Sequence, residues 1–145
     1  MGEMNWLRRW LPKRGVRGED WHYLPPARPA GREQMMVTRA DGYDFARLDW
    51  QACEGCRIGL VIAVRVTDEY QGRGYAGRML RYALRDHEDY VWTTTAQKPM
   101  GKVFFRRMSQ RTGVQFGDGR KPILCPHMRA AHGLPGPALQ IPAVD

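Results

Sequence analysis

Residues 64–77 read VRVTDEYQGRGYAG, and they lie between the most strand-like and the most helix-like segments of the chain. Three glycines within them, Gly72, Gly74 and Gly77, leave the backbone bare where the helix is predicted to begin. The first turn of a helix has several N–H groups without partners, and the helix dipole adds partial positive charge at the same place. The pattern therefore predicts an anion site, and a pyrophosphate fits it.

The segments on either side of this turn indicate a strand–helix–strand unit. Ile58–Val66 is rich in β-branched residues and predicts a central strand buried on both faces. Gly72–His87 predicts a helix with one apolar stripe, made of Tyr75, Met79, Tyr82 and Ala83. Tyr90–Thr95 predicts the next strand. Because strands joined by a helical crossover are parallel, a parallel pair is expected in the middle of the sheet.

The remaining predicted elements are shorter and flank this unit. Upstream of it, the sequence predicts two strands joined by a tight Asp41-Gly42 turn, at Met35–Arg39 and Tyr43–Trp50. Downstream of it, the sequence predicts one helix and then two short strands, at Pro99–Arg111, Val114–Phe116 and Pro122–Cys125. Antiparallel strands are therefore expected on both sides of the parallel pair. The fold class is α/β of the mixed α+β kind, not a doubly wound sheet.

The globular domain is predicted to span residues 33–126. Residues 1–32 are interpreted as an N-terminal appendage and linker, because a Trp-rich helical turn at Asn5–Leu11 is followed by Pro12 and a Pro-rich extended segment. The Trp-rich turn either packs on its own domain or contacts a protein partner or a membrane surface. Residues 127–145 are rich in proline and glycine and are predicted to be a loose C-terminal tail.

Composition and charge restrict the function classes. The chain has 145 residues, of which 43% are hydrophobic, so one compact domain is expected and wholesale disorder is excluded. No apolar run approaches the roughly 18–20 residues that span a bilayer, and we find no signal peptide. A cytoplasmic protein without a transmembrane segment is predicted. The net charge of +8 is mostly scattered arginine, which favours a solvated surface over a nucleic-acid site.

The glycine turn lacks the Lys-Ser/Thr pair of a P-loop and has the wrong spacing for a dinucleotide fingerprint. The segment from Gln71 to Ala76 instead resembles the Gln/Arg-x-x-Gly-x-Gly/Ala signature of the GCN5-related N-acetyltransferases. Its flanks are similar to that family too, with Glu69-Tyr70 before the turn and Met79-Leu80 after it. The resemblance covers roughly residues 35–125.

The resemblance implies a mostly antiparallel sheet whose central parallel pair splays around acetyl-CoA, with flanking helices. It implies that main-chain atoms of Val64, Arg65 and Val66 pair with the pantetheine arm. It implies that the pyrophosphate is held by Gln71, Gly72, Arg73, Gly74, Tyr75, Ala76 and Gly77. An amine of a small molecule or a protein would then attack the thioester, with catalysis mostly by positioning and oxyanion stabilisation.

The sequence departs from the family at the catalytic positions. Where the family has a tyrosine that can protonate the leaving thiolate, alignment on Gly113-Val114 places Ser109. Ser109 therefore either takes that role or is a surface serine of the helix. The Ile58–Val66 strand contains no carboxylate, which leaves Asp49 and Glu69 as candidates for the general base, unless both are solvated surface groups.

Three cysteines and a histidine have the spacing of metal ligands. Cys53 and Cys56 form a CxxC pair on a loop, and Cys125 and His127 follow the last predicted strand. If that strand lies antiparallel beside the Tyr90 strand, its end reaches the same sheet edge as the CxxC loop. A Cys3His zinc site is then permitted, and the alternative is a set of reduced cysteines.

The residues together favour an acetyl-CoA-dependent N-acetyltransferase. One alternative is a catalytically degenerate domain of the same fold, kept for binding or assembly, because the tyrosine and the base are missing. A second alternative is a basic, zinc-stapled nucleic-acid-binding module.

Overall fold

The computed structural model describes residues 15–117 and 121–145. Within these ranges the strands are β1 Asp20–Leu24, β2 Arg32–Thr38, β3 Asp44–Cys53, β4 Ile58–Val66, β5 Val91–Thr94 and β6 Leu139–Ile141. The helices are α1 Tyr75–Leu84, α2 Pro99–Thr112 and α3 Pro126–Ala130. The bounds of β4 match the predicted strand, and α1 and α2 lie within about three residues of the predicted helices.

The strands form one sheet in the order β5-β4-β3-β2-β1-β6. β4 and β5 pair in parallel, and the other neighbouring strands pair antiparallel. The predicted mixed sheet with a central parallel pair and flanking helices is therefore confirmed. The tight turn between β2 and β3 is confirmed as well, and Gly42 in it has a φ of +88°.

Helix α1 packs across the middle strands of the sheet. Its buried residues fall on one side and are Tyr75, Met79, Leu80, Ala83 and Leu84. They meet the aromatic core of the sheet, where the Phe45 ring lies 5.0 Å from the Tyr75 ring. Each fully buried large apolar side chain contributes roughly 1.5–3 kcal/mol. This packing fixes the start of α1 directly above the end of β4, where the glycine turn lies.

The predicted limits of the domain are too narrow at both ends. Residues 20–24, assigned to an appendage, form β1, whose Trp21 is buried and which pairs with both β2 and β6. Residues 139–141, assigned to a loose tail, form β6 at the edge of the sheet. Both strands are short and have prolines just outside their bounds, at Pro25 after β1 and at Pro137 and Pro142 around β6, so the sequence pattern favoured an extended linker and a tail.

The two strands predicted after α2 are wrong. Residues 122–125 are irregular, and the Ile123 amide donates to the Thr93 hydroxyl at 3.0 Å in place of a strand ladder. Phe116 forms one isolated bridge to Trp92, and that bridge is parallel. Within residues 15–117 and 121–145, the β5 edge is thus not flanked by an antiparallel strand. The prediction relied on three- and four-residue apolar runs, which do not separate strand from buried loop.

Two further predictions concern the Trp-rich N-terminal turn and the absence of a transmembrane segment. The Trp-rich turn at Asn5–Leu11 lies outside the residues that the structure describes. Among the residues described, no helix is long and apolar enough to cross a membrane.

Candidate functional site

The glycine turn, residues 71–77, follows β4 after a single 3-10 turn, Asp68–Tyr70, and includes the first three residues of α1. Gly72 and Gly74 have φ angles of +78° and +83°, which residues with a side chain rarely adopt. A Cβ atom at Gly72 would meet nothing within 4 Å, so the conformation requires glycine there and packing does not. The turn is exposed on its outer side, which leaves room for a ligand.

The amides of this turn are available to a ligand. Gly74 precedes α1 without any side-chain cap, and the first amide bonded back to the turn is that of Arg78, which donates to the Gly74 carbonyl at 3.1 Å. Among the described residues no hydrogen bond has an amide of Gly72 to Gly77 as its donor. Six successive N–H groups at a helix start therefore have no acceptor within residues 15–117 and 121–145, and such a run of unpaired amides is the kind of arrangement that binds anions.

Side chains around the turn hold its shape. Gln71 Nε2 donates to the Val66 carbonyl at 3.0 Å and to Asp68 Oδ1 at 3.2 Å, which ties the turn to the end of β4. The Arg78 guanidinium donates to the carbonyls of Arg73 and Gly74 and covers the Tyr75 ring at 4.5 Å. Two carbonyls of the turn, those of Arg73 and Gly74, therefore face a cation, while no described acceptor takes the turn's amides.

Tyr75, the first residue of α1, is anchored rather than directed at the ligand side. Its hydroxyl donates to Glu19 Oε2 at 2.8 Å, and its ring is almost fully buried. Burial, reinforced by the bond to Glu19, raises the pKa of Tyr75 to about 12. Only its backbone amide can serve a ligand at the turn.

β4 leaves β5 before it reaches the glycine turn. Their parallel pairing ends at Val61 with Thr94, and Thr95 closes the junction by donating to the Val61 and Ile62 carbonyls. On the other side, β3 pairs Trp50 with Val61 and Asp49 with Ala63, so Ile62 is the extra residue of a bulge. Bulges bend a strand and increase its twist. Residues 63–66 thus present an edge that no described strand pairs on the β5 side.

Ser109 lies on α2 and lines a cavity with Gln97, Phe116, Gly117 and residues of its own helix. Phe116 bridges Trp92 on the β5 edge opposite to β4. No residue of the glycine turn or of β4 lines this cavity. The side chain is half-buried, and its assignment as an acid stays a prediction.

The two candidate bases differ in their surroundings. Asp49 is only 3% exposed and accepts hydrogen bonds from Arg32 at 2.5 Å and Gln34 Nε2 at 2.6 Å. It is therefore not the solvated carboxylate that the sequence offered as an alternative. Glu69 is exposed, and its carboxylate lies 3.7 Å from the Arg39 guanidinium. Arg32 and Gln34 were missed because only the register of β2 on β3 brings them to Asp49.

The four predicted metal ligands meet at the other end of β4. Cys53 ends β3, Cys56 lies in the loop before β4, and Cys125 and His127 belong to the start of α3. One ligand atom from each lies within 4.8 Å of the others. We call this group the Cys/His cluster. Burial would raise the pKa of Cys125, but the Met128 amide and the neighbouring thiols and imidazole lower it to about 7.

The comparisons with known proteins assign the fold. No family model and no curated protein matches the chain. A candidate acetyltransferase from Deinococcus radiodurans R1 superposes with a TM-score of 0.52 at 13% identity, over 92% of this chain and 100% of that one. GCN5 of Tetrahymena and a nourseothricin acetyltransferase match at 18% and 16% identity, each with a TM-score of 0.45 over 53% of this chain.

The match covers about half the length of those last two proteins, at 49% and 48%. The described topology and the superposition on the Deinococcus protein define the class: the chain has the fold of the GCN5-related N-acetyltransferases. At such identities the likeness extends to the fold alone.

Proposed function

We propose that this chain binds acetyl-CoA through the glycine turn and transfers the acetyl group to an amine. The observation that carries the proposal is the run of six backbone amides for which the described part of the chain offers no acceptor, between an unpaired strand edge and a helix start. A pyrophosphate offers several anionic oxygens within a few ångströms, which suits several convergent N–H donors.

The surroundings of the turn favour a dianion over a neutral ligand. The Arg78 guanidinium lies against the turn, and Arg73 stacks over Tyr70 with 5.3 Å from its Cζ atom to the ring centroid. Neither arginine forms an ion pair with a described carboxylate. The Arg78 guanidinium already donates to the carbonyls of Arg73, Gly74 and Val144, so its contribution near the turn is mainly its charge. The Arg73 side chain has no described hydrogen-bond acceptor, and its charge adds to that of the helix dipole at the ligand.

The unpaired edge of β4 suits the arm that follows a pyrophosphate. Residues 64–66 are separated from the glycine turn by one 3-10 turn, and an extended amide-containing arm laid along them would pair as an added strand does. When bound, acetyl-CoA supplies an acyl carbon that an amine can attack. The chain's part is to hold the arm on β4 and to orient that carbon at the Ile62 bulge, where β4 and β5 separate.

A candidate base or acid is less well supported than the binding site. Asp49 pairs with Ala63 beside the bulge, but Arg32 and Gln34 already occupy its carboxylate. Glu69 lies on the 3-10 turn Asp68–Tyr70 that follows β4, and Ser109 lies on α2. Positioning with proton transfer to solvent therefore fits these residues better than a dedicated catalytic group. The amine acceptor and a cytoplasmic location remain predictions from the sequence.

The occupied Asp49 also favours a second candidate function. A domain that binds CoA without turnover needs the glycine turn and no free base. Release of CoA thiol in the presence of a panel of small amines and basic peptides separates the two, because a binding-only domain releases none above the rate without protein.

The binding step is tested by thermal unfolding with three ligands, acetyl-CoA, desulfo-CoA and pantetheine. The first two share the pyrophosphate, so both should raise the melting temperature, while pantetheine should not. At a ligand concentration of about 100 Kd the stabilisation is about 2.7 kcal/mol, or on the order of 8 °C for a chain of this size. Equal shifts with pantetheine, or no shift with acetyl-CoA at millimolar concentration, would contradict the proposal.

A further inference from the structure

The Cys/His cluster lies at the end of β4 opposite to the glycine turn. Nine residues of strand separate the two sites, which corresponds to roughly 30 Å of extended chain. Cys53 and Cys125 are buried, while Cys56 and His127 are exposed, so one side of the cluster faces solvent. None of the four residues contributes to the glycine turn or to the open edge of β4.

The distances within the cluster suit a tetrahedral zinc ion. The Nδ1 atom of His127 lies 3.6 Å from Cys53 Sγ, 3.4 Å from Cys56 Sγ and 3.9 Å from Cys125 Sγ. With Zn–S of about 2.3 Å and Zn–N of about 2.05 Å, a regular tetrahedron places sulfur and nitrogen about 3.6 Å apart. The three separations bracket that value, and all four ligand atoms lie within 4.8 Å of one another.

Backbone amides already support two of the sulfurs. The Cys56 amide donates to Cys53 Sγ at 3.4 Å, and the Met128 amide donates to Cys125 Sγ at 3.5 Å. Such bonds stabilise a thiolate, which is the form that binds metal, and they fix the direction of its lone pairs. These two hydrogen bonds are a separate observation from the distances between the ligand atoms. They orient both buried sulfur atoms toward the same small volume.

We propose that these four residues hold a structural zinc ion. Three sulfurs and one nitrogen in a tetrahedral set favour zinc among the common divalent ions. The protein fills all four positions, so no site remains for a substrate or a reactive water. The ion joins residues 74 positions apart in sequence, Cys53 and His127, and thereby fastens the C-terminal segment, residues 121–145, to the start of β4.

The C-terminal segment has few other attachments near the cluster. Its regular structure before β6 is the five-residue α3. Gln51 Nε2 donates to the Met128 carbonyl at 3.0 Å, and Met128 packs in a small apolar group with Cys53, Leu60 and Cys125. Because a site of this kind is formed only in the folded chain, the free energy of metal binding stabilises the fold. The proposed ion therefore adds to the small apolar group that holds this segment on the sheet.

The test begins with metal analysis of full-length protein purified under reducing conditions without chelators. The proposal predicts about one zinc ion per chain, and a cobalt-substituted protein with the visible absorption of tetrahedral thiolate coordination. Less than a tenth of an equivalent of zinc, together with no cobalt spectrum on titration of the reduced protein, would overturn it. A disulfide between these cysteines in the freshly purified protein would overturn it as well.

Two exposed histidines provide a matched pair of variants. His127→Ala removes a ligand, whereas His132→Ala changes an exposed histidine five residues further on. Against a competing chelator, His127→Ala should release zinc at least tenfold more readily than wild type, and His132→Ala should behave as wild type. Equal retention in both variants would place the metal elsewhere.

If His127→Ala fails to fold, Cys56→Ser, at the other exposed ligand, provides the same comparison. Hydrogen exchange should then show faster exchange in residues 121–131 of the variant and unchanged exchange in α1; unchanged exchange at both places would contradict a structural role. Acetyl-CoA binding involves none of the four ligands, so this proposal and the proposed function fail separately.

Discussion

The two ends of β4 carry sites built on opposite principles. Beyond its C-terminal end, the glycine turn offers backbone amides, and the positive φ angles of Gly72 and Gly74 would be strained by almost any side chain. At its N-terminal end, the Cys/His cluster offers four side chains drawn from β3, a loop and the start of α3. The first site is continuous in sequence, and the second exists only because the fold brings distant residues together.

The glycines near the two ends show the same contrast. Gly72 is needed for its φ of +78°, and a Cβ there would meet nothing. Gly59, at the second position of β4, has an ordinary backbone, but a Cβ there would lie 2.5 Å from the Trp92 ring. One glycine thus serves the conformation of a ligand site, and the other lets the β5 tryptophan pack on the strand.

The largest effect is expected at Gly59. Gly59→Ala should lower the free energy of unfolding by about 3 kcal/mol, because the Trp92 ring is buried and its Nε1 donates to the His87 carbonyl at 2.8 Å, so the ring cannot withdraw. Gly55→Ala is the control, since nothing lies within 4 Å of that position, and its effect should stay within about 0.5 kcal/mol. Urea denaturation of both variants measures this, and equal losses would contradict the packing account.

The next effect concerns Asp49, which lies between the two sites. Asp49→Asn should lower the free energy of unfolding by about 2 kcal/mol, because it weakens two hydrogen bonds to a buried carboxylate, one of them from Arg32. Asp89→Asn, in the exposed pair with Arg57, should change it far less. If any amine is acetylated, Asp49→Asn should lower kcat/KM less than about tenfold. A fall of 100-fold or more would identify Asp49 as the base after all.

A smaller effect is expected at Gln71, whose side chain ties the glycine turn to β4. Gln71→Ala should weaken acetyl-CoA binding about threefold to tenfold, since a partly exposed hydrogen bond contributes about 0.5–1.5 kcal/mol. Gln110→Ala, on the exposed side of α2, is the control. Titration calorimetry measures the affinity of each variant for acetyl-CoA. Unchanged affinity in Gln71→Ala would mean that the turn keeps its shape without the Gln71 hydrogen bonds.

The smallest effect is a pH dependence at Glu33 of β2. Burial raises the pKa of Glu33 above its ordinary value of 4.5, although the Tyr23 hydroxyl bonded at 2.5 Å counteracts this. A carboxyl group whose pKa is higher in the folded than in the unfolded chain contributes stability that is fully present below the unfolded-state pKa. That contribution is lost as the pH rises through the folded-state pKa. Glu33→Gln should therefore gain stability relative to wild type between pH 4.5 and 7. A loss of stability relative to wild type over that range would contradict the raised pKa of Glu33.

Sequence patterns located the elements whose signals are local. β4, α1 and the parallel pair follow from a β-branched run, a helical stripe and a glycine turn between them. β1 and β6 could not be found in this way, because each is a short strand beside prolines and is defined by its pairing with other strands, β1 with β2 and β6, and β6 with β1. Local pattern contains no information about such pairing.

The candidate sites divide along the same line. The residues of the glycine turn were predicted from a continuous stretch of sequence. The structure adds that no described acceptor takes their amides and that the Gln71 side chain ties the turn to β4. The prediction of the Cys/His cluster relied on a strand at residues 122–125, and the structure has no strand there. An irregular segment, hydrogen-bonded to Thr93, brings Cys125 to the same place. Partners of Asp49 depend on strand register, which the sequence does not state.

The central claim is that backbone amides of the glycine turn bind the pyrophosphate, and the sharpest test compares two glycines. Gly72 and Gly42 have similar φ angles, +78° and +88°, and open space where a Cβ would be. Glutamate at either position brings the same charge and about 1–2 kcal/mol of backbone strain. By titration calorimetry, Gly42→Glu should bind acetyl-CoA with a Kd within about threefold of wild type, whereas Gly72→Glu should weaken binding about 100-fold or more. Equal affinities in the two variants would contradict the claim.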